Sequence, residues 1–155
     1  METTLVLVKP DGVQRRLVGR ILARFEEKGL EVAGLRMMRL QKALLEKHYG
    51  AHKGKPFYEG LVSYMASSPV VAVALRGKNA VAVVRKMMGA TFGSKAEPGT
   101  IRGDLAISDG FNLVHGSDST ESAAKELALF FGKGEILDWT PADREWVYDV
   151  SDGAR

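Results

Sequence analysis

The sequence predicts an α/β protein of the α+β kind, in which a four-stranded antiparallel sheet is covered by helices. Three observations lead to this prediction. A chain of 155 residues is long enough for one packed core and short for two, so we expect a single domain over residues 1–155. Its 45% hydrophobic and 26% charged residues are typical of a globular protein. Short apolar runs alternate with helical patterns in the order of two split βαβ units, a ferredoxin-like sheet.

The first part of the chain contains two predicted strands with a helix between them. Residues 4–8, TLVLV, form a continuous apolar run that ends at KPDG, which predicts a strand buried on both faces and then a turn. From Val13 the apolar residues recur at helical spacing until Gly29, which favours a helix stop. Residues 30–40, LEVAGLRMMRL, return to a strand pattern.

The middle of the chain continues with helices and a third strand. A short helical segment, KALLEKHYG, ends at Gly50, and Phe57 begins a second helical repeat that Pro69 ends. Residues 70–75, VVAVAL, are the third predicted strand. Asn79 is a predicted N-cap for a helix that ends near Gly89.

The last part of the chain begins with a long segment that lacks regular periodicity. Residues 90–111 are predicted to form a long loop, and long loops in compact domains usually have a function. Residues 112–114, NLV, are the fourth predicted strand, and Asp118 with Glu121 forms a predicted capping box for the next helix. The residues predicted to face inward from that helix are Ala123, Leu127 and Phe131.

Charge and cysteine content limit the possible functions. The net charge of +3 is too small to indicate a nucleic-acid-binding protein, although it suits small anionic ligands. The chain has no cysteine, which excludes disulfides and thiolate metal sites. The apolar run near the amino terminus is too short for a signal peptide or a membrane-spanning helix, so we expect a cytoplasmic protein.

Several familiar motifs are absent or incomplete. No Gly-Lys pair is followed by Ser or Thr, and no G-x-G-x-x-G or Asp-Phe-Gly occurs, so P-loop, Rossmann and protein-kinase phosphate sites are excluded. His48 and His52 have the spacing of a metal pair, but the glutamate of H-E-x-x-H is missing, which favours two surface histidines. HGSDS lacks the G-x-S-x-G of a serine hydrolase.

His115 is the strongest candidate functional residue. A lone histidine at a strand end is more often structural than catalytic. The spacing of the residues alone does not decide between these two alternatives. Gly116, Ser117 and Asp118 favour a tight, hydrogen-bonded helix start that would fix the imidazole. Glu126 borders an apolar helix face, where a carboxylate usually has a partner. An imidazole held by an acid suits a nucleophile or a proton carrier.

The segment NLVHGSDS resembles the active-site signature Asn-x-x-His-Gly-Ser-Asp of the nucleoside diphosphate kinases. The blocks VKPDGVQRRLVGRI, HYGAHKGKPFYEGLVSYM, SSPVVA and GTIRGDL resemble that family's other blocks in the same order. The resemblance extends from about Thr3 to Tyr148. It implies the same ferredoxin-like fold with an inserted helical hairpin between Ala43 and Met65.

The resemblance also implies an activity. The γ-phosphoryl group of a nucleoside triphosphate would move to His115, and a nucleoside diphosphate would then accept it in a ping-pong reaction that uses Mg2+. Glu126 would orient the imidazole, Tyr49 would lie beside it, and Lys9 would contact both the phosphates and the sugar. The remaining residues that the resemblance assigns to nucleotide binding are Phe57, Leu61, Arg85, Thr91, Arg102 and Asn112. Phe57 is the expected platform for the base.

Some positions depart from the family pattern. Thr120 follows the signature where an aliphatic residue is commoner, ATFGSK lacks the usual Asn-Pro, and Asp109 replaces an apolar residue near the base. The carboxy-terminal segment contains two tryptophans and resembles that of hexameric rather than tetrameric members, so we expect a homo-hexamer. The alternative function is a nucleotide- or nucleic-acid-binding regulatory protein with incidental phosphotransfer. Neither reading involves a membrane, and a nucleic-acid partner is not expected.

Overall fold

The computed structural model describes residues 1–153. Within them the chain forms a sheet, α-helices and short 3-10 turns. The strands are β1 (Glu2–Val8), β2 (Glu31–Met38), β3 (Val70–Gly77) and β4 (Val114–Gly116). The helices are α1 (Pro10–Gln14), α2 (Val18–Glu27), α3 (Lys42–His48), α4 (Tyr58–Ala66), α5 (Ala80–Met88), α6 (Ile101–Leu105), α7 (Thr120–Phe130) and α8 (Arg144–Val147). The 3-10 turns are Gly50–His52, Gly93–Lys95 and Val150–Asp152.

The four strands form one antiparallel sheet in the order β2-β3-β1-β4. This is the ferredoxin-like sheet predicted from the element order, and the inserted hairpin is α3 and α4. β1 is the central strand, and its last three residues pair with β4 so that Leu7 lies opposite His115. Directly paired residues project to the same face of a sheet. The β1–β4 pairing therefore places His115 on the Leu7 face.

Both faces of β1 are buried, as its continuous apolar run predicts. Val6 and Val8 belong to a core cluster with α2, α5 and α6. Leu5 and Leu7 belong to the opposite cluster with α3, α4 and α7. All four side chains are fully buried. Because His115 shares the face of Leu7, its ring lies in the layer formed by α3 and α7.

The predicted helix from Val13 to Gly29 is interrupted. The chain instead forms α1, which begins at Pro10 where a turn is predicted, and then α2. Proline fits the first turn of a helix because its missing N–H has no intrahelical partner there. Arg16 has a left-handed φ of 58°, which ends α1 and redirects the chain. The amphipathic pattern does not reveal this break, because α1 continues the same apolar spacing.

One predicted helix cap is confirmed in position and one is wrong. Asn79 is the N-cap of α5, as predicted, but it adopts a left-handed φ of 51° and its side chain makes no capping hydrogen bond. The cap of α7 is Ser119, not Asp118: its Oγ accepts the N–H of Ser122 at 3.1 Å. The inward-facing positions of α7 are better predicted, since Ala123 is buried and Leu127 and Phe131 join the core of that face.

The fourth strand begins two residues later than predicted because Leu113 forms a tight turn. Leu113 is fully buried with a φ of 70°, and the N–H of Val114 donates to the carbonyl of Asn112 at 2.8 Å. A positive φ with an i to i+2 hydrogen bond is a strained γ-turn, a conformation that leucine rarely adopts. The consequence is that His115 lies within β4 and not after it.

The carboxy-terminal segment packs across β2. Glu31 is buried and accepts hydrogen bonds from Arg144 Nε and Nη2, both at 2.8 Å, and from Arg76 Nε at 2.8 Å. Trp139 Nε1 donates to a β2 carbonyl, whereas Trp146 is 86% exposed. Across residues 1–153, no helix combines the length and apolar character needed to cross a membrane.

Candidate active site

A cavity of about 330 Å³ opens at the end of the sheet where β4 begins. It brings together residues that lie far apart in the sequence. The predicted site residues that line it are Lys9, Arg85, Thr91, Arg102, Asn112, His115 and Glu126. Its volume lies within the range of small-molecule sites. Three cationic side chains in one cavity favour an anionic ligand.

His115 is held by a carboxylate from α7. Both carboxylate oxygens of Glu126 lie 3.2 Å from His115 Nε2, and Ser117 Oγ donates to the same carboxylate. Burial pushes the pKa of Glu126 upward, but the hydrogen bond and charge of His115 and the hydrogen bond from Ser117 outweigh it, so the pKa lies below its usual value. An ionised carboxylate accepts only, so Nε2 carries the proton and Nδ1 keeps its lone pair.

His48 is part of this site, which the sequence did not predict. The expectation of a surface histidine is wrong: its side chain is 2% exposed and packs edge-on against His115, with ring centroids 4.9 Å apart. Phe130 and Tyr49 complete its surroundings at 5.2 and 4.4 Å. Burial, followed by the charge of His115, lowers the pKa of His48 to about 4, so it is neutral at pH 7. Neither of its nitrogens has a hydrogen-bond partner among the described residues.

Arg102 in α6 is buried and joins three segments of the site. Its Nε donates to the carbonyl of Asn112 at 3.1 Å, Nη1 to that of Gly89 at 3.1 Å and Nη2 to that of Val114 at 2.7 Å. Burial, followed by the charge of Arg85, lowers its pKa to about 10, so it remains cationic. Arg102 therefore fixes the backbone on both sides of the γ-turn.

Lys9 lies at the end of β1 and belongs to a short hydrogen-bonded chain. Its ammonium donates to Asn112 Oδ1 at 2.8 Å, and Asn112 Nδ2 donates to the carbonyl of Thr91 at 2.8 Å. Burial, followed by the charge of Arg102, lowers the pKa of Lys9 from 10.5 to about 8. Lys9 and Arg102 both line the cavity, so an anion that binds there reduces the repulsion between their positive charges.

The other predicted site residues lie outside the cavity lining. Tyr49 is buried beside His48, and burial, followed by the charge of Glu126, raises its pKa, so its hydroxyl stays protonated. Phe57, just before α4, is 53% exposed, while Leu61 packs against the core of the Leu7 face. An aromatic side chain in free solvent is available for stacking.

A second exposed aromatic residue was missed from the sequence. Phe111 is 57% exposed and stacks on Tyr64, with ring centroids 5.2 Å apart. Asp109, which departs from the family pattern, is bound to the Gly93–Lys95 turn: its Oδ1 accepts Ser94 Oγ at 2.6 Å and the N–H of Ser94 at 3.3 Å. Asp109 thus stabilises the Gly93–Lys95 turn within the segment ATFGSK.

Comparison with known proteins identifies the family. A family model described as nucleoside diphosphate kinase matches residues 2–136. The chain belongs to the nucleoside diphosphate kinase family. The nucleoside diphosphate kinases of Pelotomaculum thermopropionicum and Archaeoglobus fulgidus are 56% and 50% identical to it over 149 residues, 96% of this chain and 100% and 99% of those proteins.

Solved structures of family members have the same fold. A nucleoside diphosphate kinase of Halobacterium salinarum in complex with CDP superposes with a TM-score of 0.93 at 47% identity, covering 96% of this chain and 99% of that one. A nucleoside diphosphate kinase family protein of Babesia bovis gives 0.92 at 39% identity, covering 96% and 100%. The resemblance inferred from the signature and its four accompanying blocks is therefore confirmed.

Proposed function

We propose that this nucleoside diphosphate kinase uses His115 Nδ1 as the atom that carries the phosphoryl group between two nucleotides. The protein is a phosphotransferase whose substrates are nucleotides. The observation that carries the proposal is the contact between Glu126 and His115 Nε2. That contact leaves Nδ1 as the nitrogen with a free lone pair in a cationic cavity.

The reaction follows from this arrangement in two half-reactions. Nδ1 attacks the γ-phosphorus of a nucleoside triphosphate; the Nδ1–P bond forms, the bond from phosphorus to the β-phosphate oxygen breaks, and the diphosphate leaves. Positive charge that develops on the ring is stabilised by the Glu126 carboxylate. A second nucleoside diphosphate binds in the same cavity and its terminal oxygen takes the phosphoryl group. One set of residues thus serves both directions.

The phosphate groups are bound by the cationic side chains of the cavity. Arg85 and Lys9 have few protein partners there, and Arg102 has N–H groups beyond the three that hold carbonyls. Thr91 and Asn112 border the same space and supply hydroxyl and amide groups. Phosphoryl transfer needs little more than positioning and charge stabilisation, which these groups provide.

Nucleotide kinases generally use a divalent metal, and we propose Mg2+. The carboxylates that line the cavity within the described residues are Asp118 and Glu126, and Glu126 is bound to His115 and Ser117. This donor set fits an ion that arrives with the nucleotide rather than one held by the protein. When it is bound with the nucleotide, Mg2+ would neutralise part of the phosphate charge, in addition to the charge supplied by Lys9, Arg85 and Arg102.

We further propose a homo-oligomer, with a hexamer favoured over a tetramer. Large apolar side chains of the carboxy-terminal segment are exposed in the single chain: Leu137, Trp139, Trp146, Val147 and Val150. Leu35 and Met37 of the edge strand β2 are also exposed. A set of this size favours burial against other copies. Light scattering tests this proposal, since a hexamer has six times the 16.9 kDa mass of the chain.

A label-and-chase experiment tests the phosphoryl carrier. The chain is mixed with γ-labelled ATP and Mg2+, and we expect an acid-labile, alkali-stable label that any nucleoside diphosphate removes. His115→Gln should take no label, whereas Lys47→Ala, a change at an exposed residue of α3, should label normally. Continued turnover of the His115→Gln protein would contradict the proposal.

A further inference from the structure

His48 is a buried imidazole that the phosphoryl-transfer reaction does not use. Its side chain is 2% exposed, and both ring nitrogens lack hydrogen-bond partners among the described residues. An unsatisfied buried polar group costs roughly 1–3 kcal/mol. The His48 ring therefore lacks the hydrogen-bond partner that a buried polar group normally has. It also lies in a cluster of potential metal ligands.

The neighbours of His48 are metal-ligand types at close range. His48 Nδ1 lies 4.0 Å from Glu126 Oε1, and His115 Nε2 lies 3.2 Å from the same oxygen. One donor atom from each of the three residues lies within 4.8 Å of the other two. In a tetrahedral zinc site neighbouring donors are about 3.3 Å apart. The pair His115 Nε2 and Glu126 Oε1 already has this spacing, and a metal ion would draw the His48 ring closer to both.

We infer that His48, His115 and Glu126 form a binding site for a first-row transition-metal ion such as Zn2+, distinct from the Mg2+ that accompanies the nucleotide. Two imidazoles and one carboxylate with a fourth open position are a ligand set that zinc takes readily. Imidazole nitrogen is a poor ligand for Mg2+, which prefers oxygen. The cavity provides the entry path, because His115 and Glu126 line it.

Metal binding at this site stops phosphoryl transfer by changing the tautomer of His115. In the metal-free site Nε2 carries the proton and Nδ1 carries the lone pair. A metal ion on Nε2 takes that nitrogen's lone pair, so the proton of the neutral ring moves to Nδ1. The proton count is unchanged, but Nδ1 can no longer attack phosphorus. This inhibitory effect rests on the proposed role of Nδ1, whereas metal binding itself does not.

The binding test uses the full chain without nucleotide. Co2+ replaces Zn2+ as a probe, since its absorption reports tetrahedral coordination, and equilibrium dialysis with Zn2+ gives the stoichiometry. We expect one ion per chain and at least a 10-fold loss of affinity in His48→Phe, which keeps an aromatic ring but removes both ring nitrogens. His52→Phe is the matched control, because His52 lies in the Gly50–His52 turn and contacts Lys55 and Phe57; its affinity should be unchanged. Equal affinity in the wild type and His48→Phe overturns the inference.

A second measurement needs no variant. Imidazole nitrogen resonances of the wild-type chain are followed during a Zn2+ titration, and those of His48 and His115 should shift together. Shifts confined to His52 would show surface binding and overturn the site. Labelling by γ-labelled ATP before and after Zn2+ then tests the inhibition. A chain that labels without Zn2+ and still labels fully when the site is occupied overturns the tautomer mechanism, while one that never labels contradicts the proposed function instead.

Discussion

Asp11 in α1 accepts a hydrogen bond from the backbone N–H of Leu113 at 3.1 Å, across 102 positions of sequence. The other carboxylate oxygen accepts the hydroxyl of Tyr64. The carbonyl of Leu113 is also bound, to the N–H of Lys9 at 2.8 Å. A left-handed φ at a leucine persists only where the surroundings determine it. These contacts hold the γ-turn that sets the position of Asn112 and of β4.

Asp11→Ala is therefore expected to destabilise the protein and to disturb the site. The N–H of Leu113 becomes buried without a partner, and two hydrogen bonds to a carboxylate are lost, at a cost of roughly 2–4 kcal/mol in the free energy of unfolding. Urea unfolding measures this cost, and kcat should fall as well. Tyr64→Phe loses one of the two bonds and should cost less. A smaller effect of Asp11→Ala than of Tyr64→Phe would contradict this account of the turn.

Glu126→Gln tests the orientation of His115. The amide keeps the size of the side chain but removes the charge that stabilises the ring, so we expect kcat to fall by roughly 10- to 100-fold, the usual effect of losing an orienting partner. The KM for nucleotide should change little, because Glu126 contacts the imidazole and not the phosphates. Ser117→Ala, which removes one hydrogen bond to the carboxylate, should have a smaller effect. A large increase in KM with unchanged kcat would assign Glu126 a different role.

The sequence predicts β1 and β3 well because they are continuous apolar runs whose burial needs no further information. The type of site was also predictable, since Lys9, Arg102 and His115 lie in recognisable blocks. The burial of His48 was not, because it depends on the register that places His115 between α3 and α7. The left-handed φ of Leu113 left no signal either, since leucine has no preference for it. Tertiary hydrogen bonds, which Asp11 accepts and Arg102 donates, determine that turn.

Arg102→Lys should be costly for stability as well as for phosphate binding. The guanidinium donates to three carbonyls in different directions, and a lysine ammonium reaches fewer of them. We expect a loss of roughly 2–4 kcal/mol in the free energy of unfolding. Arg85→Lys is the matched control. Arg85 donates a hydrogen bond to the carbonyl of Gly116 at 3.4 Å, which is long, so this substitution should cost little stability. Equal losses in the two variants would contradict the structural role of Arg102.

Phe57→Ala tests the platform for the base. Stacking of a base on an aromatic ring is worth roughly 1–3 kcal/mol, so the affinity for ADP should fall by about 5- to 150-fold. Phe57→Trp keeps a stacking surface and should retain most of the affinity. Titration calorimetry with ADP and GDP compares the two variants, and similar losses for both bases are expected because every base has a π-face. Unchanged affinity in Phe57→Ala would show that the base does not stack on Phe57, and Phe111 would be the next candidate.

The low pKa of Lys9 predicts an alkaline limit to activity. With a pKa of about 8 in the free protein, Lys9 loses its charge as the pH rises through 8, so kcat/KM should fall by up to about 10-fold per pH unit above it. In Lys9→Arg the positive charge persists, so the decrease of kcat/KM with pH should be absent between pH 7 and pH 9.5. An alkaline limb that is identical in both proteins would exclude Lys9 as its cause.

The free energy of unfolding should rise with pH over the range in which kcat/KM falls. This difference distinguishes loss of the Lys9 charge from unfolding as the cause of the lower activity. The folded-state pKa of Lys9 lies below its ordinary value of 10.5, so between pH 8 and 10.5 the unfolded chain binds more protons than the folded one. The contribution of Lys9 to the free energy of unfolding therefore rises with pH across that window. Urea unfolding at pH 8 and pH 9.5 measures it as the difference between wild type and Lys9→Met, in which this contribution is absent. A wild-type stability that falls relative to Lys9→Met would mean that Lys9 is charged and paired in the folded protein.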